Sequence, residues 1–174
     1  MAENDETRYL EPTQETGRAM KTYRQGWLGA LMDEYERAAG ELAQVVTGIS
    51  DEEYGLVRDT ATKDEECRSI RTVFFHVVAA GYGYAILLRI AWGLEKLDRP
   101  RDAIERTDAP AALQAMLEAT SAALEGKWNL SEDEGAALQI RSGWGVVYDL
   151  EQLLEHAIVH VLRHRRQIER FLSQ

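Results

Sequence analysis

The chain has 174 residues, of which 45% are hydrophobic, so it can form one domain with a substantial core and needs no cofactor merely to fold. Its 30 acidic and 20 basic residues give a formal net charge of −10. This charge argues against a broad nucleic-acid-binding surface, because a phosphate backbone attracts clustered lysine and arginine. The single cysteine, Cys67, excludes an internal disulfide.

The N-terminal residues and the apolar runs predict where the protein is located. Met1 to Thr16 is acidic and polar, without the basic flank and apolar stretch of a signal peptide. The most apolar window, Val73 to Ala91, is interrupted by two glycines, His76 and Arg89, and falls short of the roughly 18 consecutive apolar residues that a membrane span needs. We therefore predict a cytoplasmic protein with no membrane partner.

We predict a flexible N-terminal segment over residues 1–16 and a single helical domain over residues 17–174. The first predicted helix runs from Gly17 to Ile49, because its apolar residues recur every three or four positions, as on one face of an amphipathic helix. Ser50 and Glu53 then form a capping-box pattern, which predicts a short helical turn. A loop is expected from there to Lys63.

The second helix is predicted from Glu65 to Trp92. Its apolar stripe is broad enough to contact several neighbours, so we expect it to be the most buried helix. Gly81 and Gly83 each cost about 1 kcal/mol relative to alanine inside a helix. Their presence indicates that another backbone or a ligand comes close to this helix.

The third helix is predicted from Asp108 to Gly126, with Asp108 as its cap, and the fourth begins at Asp149 and continues to the end of the chain. Between them, residues 127–145 form a long irregular stretch of the kind that is often functional in a small helical protein. It contains a second capping-box pattern, Ser131 to Glu134. No run of strand alternation appears, so the predicted fold class is all-α, a four-helix bundle.

Three of the four histidines, His156, His160 and His164, lie one turn apart on the last predicted helix. At about 100° per residue, His160 and His164 lie near the edge of the apolar face, whereas His156 leans toward solvent. The fourth histidine, His76, lies near the border of the apolar stripe of the second helix. A metal site between the second and fourth helices is therefore geometrically possible.

The chemistry of such a site follows from the ligand type. Three neutral imidazoles can bind Zn²⁺ or Ni²⁺ at roughly 2.0 to 2.1 Å and leave positions open, as in a catalytic site. A water bound there can ionise near neutral pH, and the metal can polarise a carbonyl or bind a thiolate. On spacing alone, the alternative is that these histidines occur by chance in a helix end rich in arginine and histidine.

The histidine segments also resemble those of a known family. Phe75-His76-Val77 lies in the apolar second helix, and the last helix contains His160-Val161-Leu162-Arg163-His164-Arg165-Arg166-Gln167. In these motifs, and in its helix lengths from Gly17 onward, the chain resembles the DinB/YfiT-like superfamily of small bacterial helical proteins. The resemblance implies an up-down-down-up bundle, a homodimer, and a divalent metal, nickel or zinc, held by His76, His160 and His164. His156 forms a competing pair with His160 and ranks fourth.

The leading functional hypothesis is a metal-dependent hydrolase or thiol-dependent transferase that acts on a small-molecule substrate, with a low-molecular-weight thiol as a candidate partner. Membership of a family does not by itself determine the reaction. The alternative is a non-catalytic bundle that binds a ligand or partner and has a vestigial or structural metal site. Action on nucleic acid is a third hypothesis, which the charge of −10 disfavours.

The sequence does not select a catalytic residue. Gln167, one turn after His164, is the candidate partner for the second ring nitrogen of a ligating histidine. Cys67 is not favoured as a nucleophile. The tryptophans are expected to be core or dimer contacts more than a substrate cage: Trp27, Trp92, Trp128 and Trp144. The side chains that could act as acid or base, each also explained by a structural role, are Tyr82, Tyr84, Tyr148, Asp149 and Glu155.

Overall fold

The structure is a computed structural model that describes residues 22–174, and most of these residues are helical. In chain order, the elements are α1 (Gly26–Thr47), α2 (Asp51–Gly55), α3 (Ile70–Ala91), α4 (Ala109–Ala123), α5 (Glu132–Ala136), β1 (Ile140–Arg141), β2 (Val147–Tyr148) and α6 (Leu150–Leu172). Short 3₁₀ turns precede α3 and α4, at Glu65–Cys67 and Arg106–Asp108. The four long helices are therefore α1, α3, α4 and α6.

The long helices pack in a ring, in which α1 contacts α4 and α6, and α3 contacts the same two helices. Arg165 of α6 forms an ion pair with Glu41 of α1, and both residues lie in the second half of their helices. Helices α1 and α6 are therefore parallel. Lys127, just after α4, lies over the ring of Trp92, just after α3, with 4.9 Å from its Nζ to the ring centroid. Helices α3 and α4 are therefore parallel as well.

The direction of α3 relative to α6 follows from two ring contacts. His76 contacts His160, whereas Tyr84, further along α3, contacts His156, which is earlier on α6. The two helices are therefore antiparallel. Together with the parallel pairs, this gives the up-down-down-up order, and the predicted all-α four-helix bundle is confirmed.

Three helix starts were predicted correctly from side chains that cap them. Both predicted capping boxes are present with their reciprocal hydrogen bonds, Ser50 with Glu53 and Ser131 with Glu134. Asp149, the predicted start of the fourth helix, forms another box with Gln152. A further box, Ser69 with Thr72, begins α3 at Ile70 instead of the predicted Glu65. Glu65 belongs to the preceding 3₁₀ turn, where Asp64 accepts a hydrogen bond from the backbone N–H of Glu66.

The predicted start of the first helix was wrong. Helix α1 begins at Gly26, whose φ of 76° is left-handed and interrupts a right-handed helix, so residues 22–25 are not helical. The rest of the predicted start, residues 17–21, and the predicted flexible segment 1–16 lie outside the described residues. At α4, the predicted start is right, since the helix begins at Ala109 with Asp108 at the N-cap position, but the Asp108 side chain makes no capping hydrogen bond.

The predicted irregular stretch, residues 127–145, contains regular structure instead. Helix α5 lies within it, and β1 pairs with β2 in an antiparallel hairpin, Ile140 opposite Tyr148 and Arg141 opposite Val147. These strands were not predicted, because two residues are too few to show alternation. The hairpin turn places Trp144, 56% exposed, at its tip.

By length and composition alone, α3 is apolar enough to cross a membrane. The core helix of a bundle has the same composition, and α3 contributes a large share of the core. Its fully or almost fully buried side chains include Ile70, Val73, Phe74, Val77, Val78 and Leu88. Its apolar character is therefore accounted for by packing in the core, chiefly against α4 and α6.

The two glycines of α3 have different surroundings. A Cβ on Gly81 would lie 2.1 Å from Sδ of Met116, which is fully buried in α4 and faces the hydroxyl of Tyr35. A Cβ on Gly83 would meet nothing within 4 Å, and Gly83 instead lines a cavity beside the histidines. The predicted close approach is therefore a side-chain contact at Gly81 and open space at Gly83.

We expect these two positions to respond oppositely to alanine. Gly81→Ala should lower the free energy of unfolding by about 1 to 2 kcal/mol, because the buried Met116 side chain must shift. Gly83→Ala should raise it by about 0.5 to 1 kcal/mol, because alanine favours the helix and meets no neighbour. Urea unfolding of both variants measures the difference, and changes of the same sign would contradict it.

Candidate metal centre

The antiparallel packing of α3 and α6 brings three histidines together. His160 and His164 project from successive turns of α6 and are 7% and 4% exposed, in agreement with their predicted place near the apolar face. His76, in the first half of α3, faces them with 25% of its side chain exposed. These rings lie at the edge of the core, and those of His76 and His160 line a cavity.

The three rings are close enough to share one cation. Their centroids are 4.5 to 5.0 Å apart, and each residue offers one ring nitrogen within 4.8 Å of the other two. Nε2 of His76 lies 3.1 Å from Nε2 of His160. Either a proton or a cation must lie between these two nitrogens, because two lone pairs would otherwise face each other.

Two hydrogen bonds orient the rings of His76 and His164. Nδ1 of His76 donates to Oε2 of Glu66 at 2.7 Å, and Nδ1 of His164 donates to Oε1 of Gln167 at 2.8 Å. Both bonds leave the Nε2 lone pair directed toward the centre of the group. Gln167 was anticipated from its spacing, whereas Glu66 was not, because it lies in the 3₁₀ turn before α3 and no periodicity relates it to His76.

The electrostatics favour neutral rings. Burial, followed by the neighbouring rings of His164 and His76, lowers the pKa of His160 to about 3. Burial also lowers the pKa of His164, against the opposing effect of its hydrogen bond to Gln167. Both imidazoles are therefore uncharged at pH 7, which is the form that binds a metal.

The geometry fits a divalent metal. Imidazole nitrogens roughly 2.0 to 2.1 Å from one cation, at angles of about 90 to 110°, lie roughly 2.9 to 3.4 Å apart. The 3.1 Å between His76 and His160 falls in this range. Nδ1 of His160 is buried without a hydrogen-bond partner, so the protein leaves the polarity of this ring unsatisfied. Nε2 of His164 accepts from the Arg163 guanidinium at 3.3 Å, which a bound cation would displace.

A cavity of about 500 Å³ opens onto His76 and His160. Its volume lies within the range of small-molecule sites. One wall is the apolar side of α3, formed by Ala79, Ala80 and Leu87. Aromatic and basic side chains complete it: Tyr84, Trp144, His156, Arg99 and Arg163.

The comparisons with known proteins agree with this architecture. The model of the DinB family matches residues 14–174, almost the whole chain. The chain belongs to the DinB family. No curated protein matches it. Among solved structures, the mycothiol-dependent maleylpyruvate isomerase is similar, with a TM-score of 0.53 and 17% identity.

The similarity to that isomerase concerns the fold. It covers 86% of this DinB chain but only 63% of the isomerase, so the chain spans less than two thirds of its length. The isomerase therefore supports the same helical architecture as the family match.

His156 lies outside the triad of this DinB protein. Its ring is 6.3 Å from that of His160 and packs among aromatic rings, 5.5 Å from Tyr84, 5.3 Å from Tyr148 and 6.0 Å from Trp144. It therefore forms part of the cavity wall. Trp144, expected to be a core or dimer contact, lies on this wall as well, which the sequence did not indicate because the hairpin that carries it was not predicted.

Of the acid and base candidates, three are explained without a catalytic role and Tyr84 is restricted to donation. Asp149 caps α6, Glu155 is exposed, and Tyr82 packs against the core. Burial raises the pKa of Tyr84 to about 12, so its hydroxyl stays protonated and can only donate a proton or hydrogen bond at neutral pH. Burial also raises the pKa of the Cys67 thiol, which disfavours it as a nucleophile.

The other tryptophans are structural. Trp27 donates a hydrogen bond from Nε1 to the backbone oxygen of Leu130, which ties α1 to the segment after α4. Trp92 and Trp128 pack against the core. These three agree with the prediction, and Trp144 alone of the four lines the cavity beside the triad.

Proposed function

We propose that this DinB protein binds one divalent metal through Nε2 of His76, His160 and His164 and catalyses a thiol-dependent reaction on a small molecule. The observation that carries the proposal is the convergence of three imidazoles from two helices, with Nε2 of His76 3.1 Å from Nε2 of His160, beside a cavity that these two residues line. Members of the DinB family commonly bind a divalent metal, which agrees with this group.

Nickel and zinc are the proposed metals. The group consists of three imidazoles, and no carboxylate belongs to it among the described residues. Imidazole suits borderline metals such as Zn²⁺ and Ni²⁺, whereas Mg²⁺ and Ca²⁺ prefer oxygen ligands. A set of three protein ligands also leaves a position for a substrate.

Residues of the chain would orient the ligands around the position left open for a substrate. Glu66 and Gln167 hold His76 and His164 in the tautomer whose Nε2 is free. The buried side of the triad excludes water, and the cavity admits a ligand from the other side. The Tyr84 hydroxyl, protonated at neutral pH, can donate to a developing negative charge. A divalent metal held there would lower the pKa of a bound thiol or water.

A thiol is favoured over water as the nucleophile. The similar isomerase is mycothiol-dependent, and mycothiol is a low-molecular-weight thiol. Cys67, the chain's own thiol, has a raised pKa and is not among the proposed ligands. The proposal therefore takes its thiol from solution, as a low-molecular-weight partner. A metal-dependent hydrolase is the second form of the same hypothesis.

Metal analysis of protein purified without a metal-affinity tag is the first test. We expect about one equivalent of nickel or zinc per chain, by inductively coupled plasma mass spectrometry. The second test follows consumption of a thiol, such as glutathione or mycothiol, with an electrophile, and ester cleavage without thiol. Less than about a tenth of an equivalent of metal, unchanged by added Ni²⁺ or Zn²⁺, would contradict the proposal.

The alternative is a non-catalytic bundle with a structural metal, and it makes a different prediction. In that case His76→Ala and His164→Ala would lower thermal stability in the presence of metal, while no thiol conjugation, ester cleavage or amide cleavage would be detected in the unmodified protein. Activity that disappears in both variants, with the fold retained by circular dichroism, would favour the enzyme.

We also propose a homodimer located in the cytoplasm. Ile90 of α3 and Val159 of α6 are 66% and 59% exposed, which provides apolar surface for a second copy. Cys67, unpaired and partly buried, would stay reduced in the cytoplasm. Light scattering that gives the mass of one chain would refute the dimer, and fractionation into periplasm or membranes would refute the location.

A further inference from the structure

Two arginines line the cavity beside the triad. Arg163 lies on α6 between His160 and His164, and Arg99 lies in the connection between α3 and α4. Among the described residues that line this cavity, none is acidic. In a chain of net charge −10, the cavity is therefore a local positive region that the overall composition does not explain.

These arginines have no carboxylate partner within residues 22–174. Neither Arg99 nor Arg163 takes part in a described ion pair, and the hydrogen bond of Arg163 goes to His164. Six other arginines are paired with acids: Arg24, Arg37, Arg68, Arg71, Arg106 and Arg165. The positive charge in the cavity thus remains available to a ligand.

A bound metal would leave Arg163 freer to bind a ligand in the cavity. The Arg163 guanidinium donates to Nε2 of His164, the nitrogen that the proposed metal would take. Guanidinium and cation cannot share this lone pair, and their charges repel. Arg163 would therefore be released toward the cavity, where an anion is its natural partner because guanidinium binds a carboxylate through two parallel hydrogen bonds.

The rest of the cavity fits an apolar group. Ala79, Ala80 and Leu87 form its α3 side, and the Trp144 ring stands at the hairpin tip opposite. We propose that the substrate is a small carboxylic acid, with its carboxylate held by Arg163 and Arg99 and its apolar body against α3 and Trp144. This inference rests on the proposed function, since it names the substrate class for the same site.

The test measures binding instead of turnover. Isothermal titration calorimetry compares phenylacetate with phenylacetamide, its neutral isostere, on metal-free and Ni²⁺-treated protein. We expect phenylacetate to bind at least about tenfold more tightly, since a charge-assisted hydrogen bond contributes enough for that ratio. Arg163→Gln should remove most of this preference, and Arg99→Gln part of it.

The matched control is Arg166→Gln, which removes the same charge from an exposed position on the same helix that does not line the cavity. It should keep the preference for the acid. All three positions are exposed, so the variants are expected to fold, and circular dichroism checks this.

The outcomes separate this inference from the proposed function. If no metal binds but phenylacetate still binds in an Arg163-dependent manner, the substrate class stands while the metal-dependent function fails. If metal binds but acid and amide bind equally, or if Arg166→Gln acts like Arg163→Gln, the inference is overturned. Tighter binding of phenyl phosphate than of phenylacetate, or no phenylacetate binding at about 10 mM, also overturns it.

Discussion

Replacing His160 with alanine should weaken Ni²⁺ binding by more than about 100-fold, because it removes one of the three proposed ligands. His160 contacts both other rings, with centroids 5.0 Å from His76 and 4.5 Å from His164. Glu66→Ala should have an intermediate effect, about 10- to 100-fold, because it removes only the group that orients His76.

The control for this series is His156→Ala, which removes a histidine from the same helix but not from the triad. Its ring is 6.3 Å from His160 and packs against Tyr148 and Trp144, so metal affinity should be unchanged. Competition with a chromophoric chelator measures all three variants. A loss in His156→Ala as large as that in His160→Ala would mean that the ligand set uses the competing pair, His156 with His160, instead.

The metal-free protein should lose stability as the pH falls below neutrality. The folded-state pKa of His160 is about 3, against 6.5 for an ordinary histidine, so within this window the unfolded chain binds a proton that the folded chain excludes. The free energy of unfolding therefore rises with pH across the window, by up to about 1.4 kcal/mol per unit, and this contribution is complete above pH 6.5.

The comparison with His160→Gln isolates this effect from the titration of carboxylates. Urea unfolding in the presence of a chelator at about pH 7, 6 and 5 should show a steeper loss in the unmodified protein, with the difference reaching about 2 kcal/mol. The variant keeps a polar side chain at this position but cannot titrate. Parallel pH profiles for the two proteins would show that His160 is not held neutral by burial.

Local patterns explain why much of the fold was predictable. The three-and-four spacing of apolar residues, and reciprocal caps such as Ser50 with Glu53, depend on residues within one or two turns of each other. The start of α1 was mispredicted because the apolar spacing continued N-terminal to Gly26, where the backbone turns left-handed. The hairpin was not predicted, because its strands have only two residues each and show no alternation.

The candidate site was predictable only in part. The spacing of His160 and His164 and their place on the apolar face followed from helix geometry, and Gln167 followed from the same turn. That His76 meets them depends on the antiparallel packing of α3 and α6, which the spacing allowed and the family resemblance implied.

By itself, the sequence determined the helices, their caps and the histidines that could face the core, because these depend on periodicity along one chain segment. The tertiary structure alone brought Glu66 to His76 and placed Arg99 and Trp144 around the same cavity. Those residues come from a 3₁₀ turn, a connection and a hairpin tip, which have no periodic relation to the histidines. Their proximity results from packing between distant segments, which no local pattern encodes.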